Sequence, residues 1–90
     1  MPTISFTGNL KRFFPDLTSH KSSANTIGKI LAELDIQHKG IQDYIVDEQG
    51  RLRTHVNIFV GDELLDVKDI LDFKVADNAE VYVMQALSGG

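Results

Sequence analysis

The stretch NTIGKILAELDIQHKG, residues 25–40, carries the longest amphipathic helical pattern in this chain. Its apolar residues recur at positions i, i+3, i+4 and i+7, so they form one stripe along a helix: Ile27, Ile30, Leu31 and Leu34. A single helix of this length covers only one face of a β-sheet. The pattern therefore predicts a sheet with one covered face and one open face.

The residues at both ends of this pattern suit the ends of a helix. Asn25 or Thr26 can cap its start by accepting a bond from a backbone N–H that has no partner within the helix. Lys39 lies near the negative end of the helix dipole, and Gly40 can adopt the left-handed conformation that ends a helix. Gly28 costs about 1 kcal/mol of helix stability relative to Ala, which indicates close packing against the sheet.

Three segments alternate with the period of two that is typical of strands: residues 3–7 (TISFT), 56–60 (VNIFV) and 80–85 (EVYVMQ). Gly61-Asp62 predicts a turn into a minor strand, and Gly8-Asn9 predicts a turn after the first strand. We expect a short second strand around residues 21–24 and a short helical turn before Gly50. The order of the elements predicts an α+β fold in which one main helix packs on one face of a mixed sheet.

The strand alternation also predicts which side chains the helix leaves uncovered. If the valines and isoleucine of the two main strands face the helix, then Phe59, Tyr82 and Met84 face away from it. Exposed aromatic and methionine side chains are typical of interaction sites, so we expect a docking surface for a partner there. The alternative is that the segment LKRFF, residues 10–14, folds over them.

Charge and composition exclude several classes of function. Residues 1–40 carry five Lys/Arg and three Asp/Glu, whereas residues 41–90 carry four and ten. An acidic half argues against nucleic-acid binding and suits either a basic protein partner or a solvated surface. The chain has no cysteine and no apolar run of about 20 residues, so we expect no disulfide and no membrane span. The N-terminus lacks a signal-peptide pattern, and we expect a cytoplasmic protein.

The side chains show no pattern typical of a catalytic or metal site. The histidines His20, His38 and His55 lie in different elements and lack the spacing of metal ligands. Neither of the phosphate-binding motifs G-x-x-x-x-G-K-[ST] and G-x-G-x-x-G occurs. The remaining reactive group is the carboxylate of Gly90. Glycine lacks a Cβ, so Gly89 and Gly90 can pass through a narrow channel. Residues 85–90 span roughly 20 Å when extended, enough to reach a partner's buried active site.

Two segments resemble the ThiS/MoaD-type ubiquitin-like sulfur carriers, which have the β-grasp fold. HVNIFVGDELL (residues 55–65) resembles that family's strand and hairpin. VADNAEVYVMQALSGG (residues 75–90) resembles its ending L-x-D-G-D-E-V-x-I-x-P-A-x-x-G-G, with Asn78 in place of the glycine and Gln85 in place of the proline. Residues 40–55 make the chain similar to the longer members, including carriers of cysteine biosynthesis and some molybdopterin-type proteins.

The resemblance implies that an E1-like, ATP-dependent activating enzyme adenylates Gly90 and that sulfur transfer converts it to a thiocarboxylate. Gly89 and Ser88 would line the enzyme's channel with Leu87 beside them. Phe59 and Met84 would correspond to the docking surface, to which the strand alternation adds Tyr82. No cofactor would be bound permanently: the partner would use ATP, and the sulfur would be covalent.

The resemblance also implies a division of the chain and of its partners. Residues 1–84 would form the β-grasp domain and residues 85–90 a flexible tail. A sulfur-accepting synthase would receive the sulfide for cysteine, molybdopterin, thiamine or related biosynthesis. The chain itself would not be an enzyme, would be a monomer alone, and would need no trimming after Gly90.

Two other functions share this fold. A ubiquitin-like modifier would use the same adenylate to form an amide with a target lysine, and an interaction module would not need its glycines. Within the sulfur-carrier hypothesis, a small subunit of a molybdopterin-type synthase would stay bound to its large subunit.

Overall fold

The computed structural model describes residues 1–12, 14–54, 56–65, 68 and 70–85 of the 90-residue chain. The strands are β1 (Thr3–Phe6), β2 (His20–Lys21), β3 (Val56–Val60), β4 (Glu63–Leu64) and β5 (Glu80–Gln85). The helices are α1 (Gly8–Lys11), α2 (Ile27–Gln37) and α3 (Ile41–Ile45), with a 3₁₀ turn at Ile70–Asp72.

The five strands form one mixed sheet in the order β2-β1-β5-β3-β4. β5 pairs in parallel with β1 and antiparallel with β3. The hairpins β1/β2 and β3/β4 are antiparallel. The last strand therefore lies in the middle of the sheet, which confirms the predicted mixed α+β fold.

Helix α2 covers one face of this sheet. Its four predicted apolar residues are at most 1% exposed and belong to the core. Opposite them, the covered face is built from alternate residues of the three central strands: Ile4, Phe6, Val56, Ile58, Val81 and Val83. The alternation predicted for β3 and β5 is thus confirmed, because Val56, Ile58, Val81 and Val83 are buried.

The ends of α2 are held by side chain to backbone bonds. Thr26 is the N-cap, and its Oγ1 accepts from the Lys29 N–H at 3.3 Å. Gly40 adopts the predicted left-handed conformation at φ 96° and lies past the helix end at Gln37. The Asp35 carboxylate accepts from the Gly40 and Gln42 N–H groups at 3.1 Å each, so it ties α2 to the start of α3.

Two local predictions are wrong in their details. The turn predicted at Gly8-Asn9 is instead the start of α1, since a helical turn buries Leu10 completely. The second strand is His20–Lys21 and ends earlier than the predicted residues 21–24. Its end is set by Ser22, whose buried hydroxyl accepts from the Ala24 N–H at 2.9 Å and turns the chain toward α2.

Gly28 makes a close contact, as its occurrence in a helix predicts, but the contact is with Leu71 and not with the sheet. A Cβ on Gly28 would lie 2.8 Å from the carbonyl oxygen of Leu71 and 3.2 Å from its Cβ. The 3₁₀ turn, and not the sheet, is therefore what requires glycine there. This contact lets the long connection between β4 and β5 pack directly on α2.

We expect Gly28→Ala to lower the free energy of unfolding by at least about 1 kcal/mol, although alanine is the better helix former. The Leu71 carbonyl belongs to the backbone and cannot move aside cheaply. Lys29→Ala, at the exposed next position, is the control and should change stability little. Urea denaturation of both variants measures the difference, and a more stable Gly28→Ala protein would contradict the contact.

A polar cluster joins β2 to α2 through Glu33. The Ser22 and Ser23 hydroxyls donate to its carboxylate at 2.8 and 3.0 Å, and His20 Nε2 lies 3.1 Å from Oε1. Burial raises the pKa of Glu33, but the bonds with Ser22, His20 and Ser23 together outweigh burial and lower the pKa below 4.5. The folded state therefore favours the charged carboxylate.

Because the folded-state pKa of Glu33 is lowered, its contribution to stability is present above pH 4.5 and is lost as the pH falls through the folded value. We expect Glu33→Gln to unfold at lower denaturant concentration than the wild type at pH 7, and this difference to shrink at pH 3. Glu48→Gln, at an exposed position, is the control. A Glu33→Gln difference that grows in acid would contradict the cluster's role.

Candidate functional site

The face of the sheet that turns away from α2 carries apolar side chains in solvent. Tyr82 and Met84 are 43% and 39% exposed, while their neighbours Val81 and Val83 are buried. Phe59 is half-buried and lines the same open groove of about 510 Å³. The predicted placement of Phe59, Tyr82 and Met84 on the uncovered face is therefore correct.

The strand register extends this surface to Leu64, which sequence reasoning missed. Phe59 pairs with Tyr82 on one side and with Leu64 on the other, and paired residues point to the same face. Leu64 is 54% exposed. The signal was present in the sequence: a two-residue turn at Gly61-Asp62 places Leu64 opposite Phe59. We call Phe59, Leu64, Tyr82 and Met84 the apolar patch.

Acidic side chains flank one end of the apolar patch. Asp62 and Glu80 line the groove together with Thr3 and Gly61. The Gly61 N–H donates to the Glu80 carbonyl at 2.8 Å, so the β3–β4 turn lies beside the start of β5. The surface is thus acidic where β5 begins and apolar toward the strand's end.

Residues 10–14 do not cover the apolar patch as the alternative proposed, as far as they are described. Leu10 is buried in the core, and Phe14 packs edge-to-face on Tyr44 of α3 with ring centroids 5.8 Å apart. Neither residue lines the groove. Phe13 lies outside the described residues.

The predicted chain-end residues Leu87, Ser88, Gly89 and Gly90 lie outside the described residues. The last described residue, Gln85, pairs with Val56 inside the sheet. The described chain therefore reaches Gln85 within the central strand of the sheet. The division into residues 1–84 and a flexible tail 85–90 stays a prediction.

The described residues offer few other side chains that could bind a metal or act in catalysis. They contain no cluster of three or more potential metal ligands. His20 belongs to the Glu33 cluster, and the His38 N–H caps α2 by donating to the Leu34 carbonyl; His55 is not described. Among the same residues, no helix has both the length and the apolar character that crossing a membrane requires.

A mixed sheet whose last strand lies beside the first at its centre, with a helix across one face, defines a β-grasp, ubiquitin-like protein. Comparison with family models narrows this class. The model of the ThiS family matches residues 4–90, nearly the whole chain. The chain belongs to the ThiS family.

Individual relatives agree with this assignment. The sulfur carrier protein CysO of Mycobacterium tuberculosis is 29% identical over 90 residues, covering 98% of this chain and 97% of the relative. Its crystal structure has a TM-score of 0.81 at 27% identity, covering 97% of this chain and 100% of that chain. The Amycolatopsis orientalis BexX/CysO complex includes a chain with a TM-score of 0.83 at 24% identity, with full coverage of both, and this likeness shows the fold alone.

Truncation of two adjacent residues of β5 should lower stability to different degrees, because the two side chains point to opposite faces of the sheet. We expect Val83→Ala to lower the free energy of unfolding by about 2 kcal/mol, since it opens a cavity beneath α2. Met84→Ala should cost less than about 1 kcal/mol. Urea denaturation of the two variants measures the difference, and equal losses would mean that Met84 is covered in solution.

Proposed function

We propose that this chain is a sulfur carrier that bears sulfur on the C-terminal carboxylate of Gly90. The observation that carries the proposal is the family match, which runs through Gly89 and Gly90. The curated relative over almost the same length is itself named a sulfur carrier protein. In this function the chain is a protein co-substrate, and its partners perform the catalysis.

The proposed chemistry needs two partner-catalysed steps. A carboxylate is a poor electrophile, so an E1-like enzyme first joins Gly90 to AMP from ATP and releases pyrophosphate. Sulfide then attacks the carbonyl carbon; the carbon–sulfur bond forms, the carbon–oxygen bond to AMP breaks, and AMP leaves with the electron pair. The product is a thiocarboxylate, formed without any change of oxidation state at carbon or sulfur.

The fold supports this role by separating docking from chemistry. In this role the apolar patch is the docking surface for a partner, and β5 runs alongside the patch to Gln85. From there, residues 85–90 span roughly 20 Å when extended, so Gly90 can enter an active site while the domain stays outside. Ser88 and Gly89, with Leu87 beside them, would line the entrance to that site.

The sulfur acceptor would be a synthase that takes sulfide from the thiocarboxylate. Cysteine biosynthesis is the first pathway to test, because the relatives that cover 98% of this chain are carriers named CysO. A stable complex of this chain with the large subunit of a molybdopterin-type synthase would instead indicate that the chain is the small subunit of that enzyme.

Intact-mass spectrometry tests the proposal directly. With ATP, sulfide and the activating enzyme from the same organism, we expect the protein's mass to rise by the difference between a sulfur and an oxygen atom. The chain has no cysteine, so iodoacetamide should then add one label at the new thiocarboxylate and none without ATP. A protein lacking Gly89 and Gly90 is the control and should stay unchanged.

The same activation reaction distinguishes a sulfur carrier from the alternative function, a protein modifier. Under that hypothesis, activation in a cell extract gives larger covalent adducts of this chain that resist thiols and disappear when Gly89 and Gly90 are removed. Adducts without any thiocarboxylate would contradict the sulfur-carrier proposal. If neither a thiocarboxylate nor a covalent adduct forms, the interaction module is the favoured function.

A further inference from the structure

We propose that Arg51 and Arg53 form a binding site for a carboxylate-bearing segment of another protein, on the helix side of the sheet and away from the apolar patch. The two guanidinium groups line an open hollow of about 290 Å³. Both arginines lie in residues 40–55, the segment by which the chain resembles the longer members of its family. The site does not depend on the proposed reaction of Gly90.

A short hairpin fixes the backbone of both arginines. Val46 and Leu52 are buried and form an antiparallel bridge, so the chain turns back on itself between them. The Arg53 N–H donates to the Ile45 carbonyl at 3.1 Å and continues this pairing. Because Leu52 is buried in the core, the exposed residues Arg51 and Arg53 on either side of it both point outward.

Each guanidinium group is held by one hydrogen bond to an uncharged oxygen. Arg51 Nη2 donates to Gln49 Oε1, and Arg53 Nε donates to the Asp43 carbonyl oxygen, at 2.6 Å in both cases. Neither arginine forms an ion pair with any residue in the described part of the chain. A guanidinium group has five N–H donors, so most of them stay available to a ligand in the hollow.

The turn of this hairpin does not offer a phosphate site. The Asp47 carboxylate accepts from the Gln49 and Arg51 N–H groups at 2.9 and 3.0 Å, and the Asp47 carbonyl accepts from the Gly50 N–H at 3.0 Å. Phosphate sites in turns use successive backbone N–H groups, and Asp47 has already engaged those of this turn. Glu48 also lines the hollow, so a compact dianion would meet two carboxylates there.

The exposure and spacing of the arginines favour a protein segment as the ligand. Small-molecule sites bury most of their ligand, whereas Arg51 and Arg53 are exposed. One guanidinium group can donate two parallel N–H bonds to one carboxylate. Residues i and i+2 of an extended chain point to the same side, roughly 7 Å apart. An extended partner segment with acidic residues at alternate positions therefore matches the spacing of Arg51 and Arg53.

The contacts of the turn place this site on the helix side of the sheet. A Cβ on Gly50 would lie 2.9 Å from Leu71 Cδ1, and Leu71 itself packs on Gly28 of α2. The turn thus adjoins the layer that covers the sheet, while the apolar patch lies on the uncovered face. A protein bound at Arg51 and Arg53 would leave the apolar patch accessible, so the domain could hold two partners at once.

NMR titration of the full-length, ¹⁵N-labelled chain with the peptide acetyl-Glu-Ser-Glu-Ser-Glu-amide tests the proposal. We expect the Nε–Hε resonances of Arg51 and Arg53 to shift with a dissociation constant of about 1 mM at low salt, and the affinity to fall several-fold at about 0.3 M salt. Arg12, which is also exposed, is the internal control, and its resonance should not shift. The same peptide with Gln in place of Glu should cause no shifts.

Variants of the lining residues test the charges separately. Arg51→Gln combined with Arg53→Gln should weaken peptide binding at least about tenfold, whereas Arg12→Gln should not change it. Glu48→Gln removes a like charge and should tighten binding about twofold. Urea denaturation verifies that the variants are folded; if loss of the Arg53 bond to Asp43 unfolds the double variant, Arg51→Gln alone should weaken binding several-fold.

Three results would overturn the inference and leave the sulfur-carrier proposal intact. The first is the absence of shifts at Arg51 and Arg53, or equal shifts at Arg12. The second is an unchanged affinity of the folded arginine variant. The third is tighter binding of inorganic phosphate than of the peptide, which would identify a phosphate site instead.

Discussion

The parallel pairing of β1 with β5 is the constraint on which the rest of this structure depends. It inserts the last strand between β1 and β3, so that residues 81–83 pair with a neighbouring strand on both sides. Four pairs of residues join β1 and β5, from Thr3↔Glu80 to Phe6↔Val83. Residues 80–85 are consequently held at the centre of the sheet.

The second constraint is that the described part of the chain contains too little helix to cover both faces of the sheet. α2 is the one helix of more than five residues within the described part of the chain, and it covers one face of the sheet. Because β5 is central and alternates, the same strand anchors the core through Val81 and Val83 and exposes Tyr82 and Met84. The core and the exposed apolar surface therefore use opposite sides of one strand, so a substitution on one side can leave the other unchanged.

Periodicity predicted the parts of the fold that are local. The apolar stripe of α2 and the alternation of β3 and β5 were correct because burial leaves a repeating mark within each segment. The sequence did not reveal α1, the partner of Gly28 or the bonds of Glu33, because each depends on residues far away in the chain. Leu64 lies between these cases: its place follows from the turn length, but only once β4 is accepted as a strand.

The two outer strands of the sheet are its shortest, with two residues each. An edge strand exposes unpaired N–H and C=O groups that can template pairing with another chain, and very short edges limit this. A protein that also exposes an apolar face aggregates more readily through such edges than one without an exposed apolar face. The two-residue edge strands β2 and β4 limit edge-to-edge pairing of one domain with another, and this lowers the risk of fibril growth.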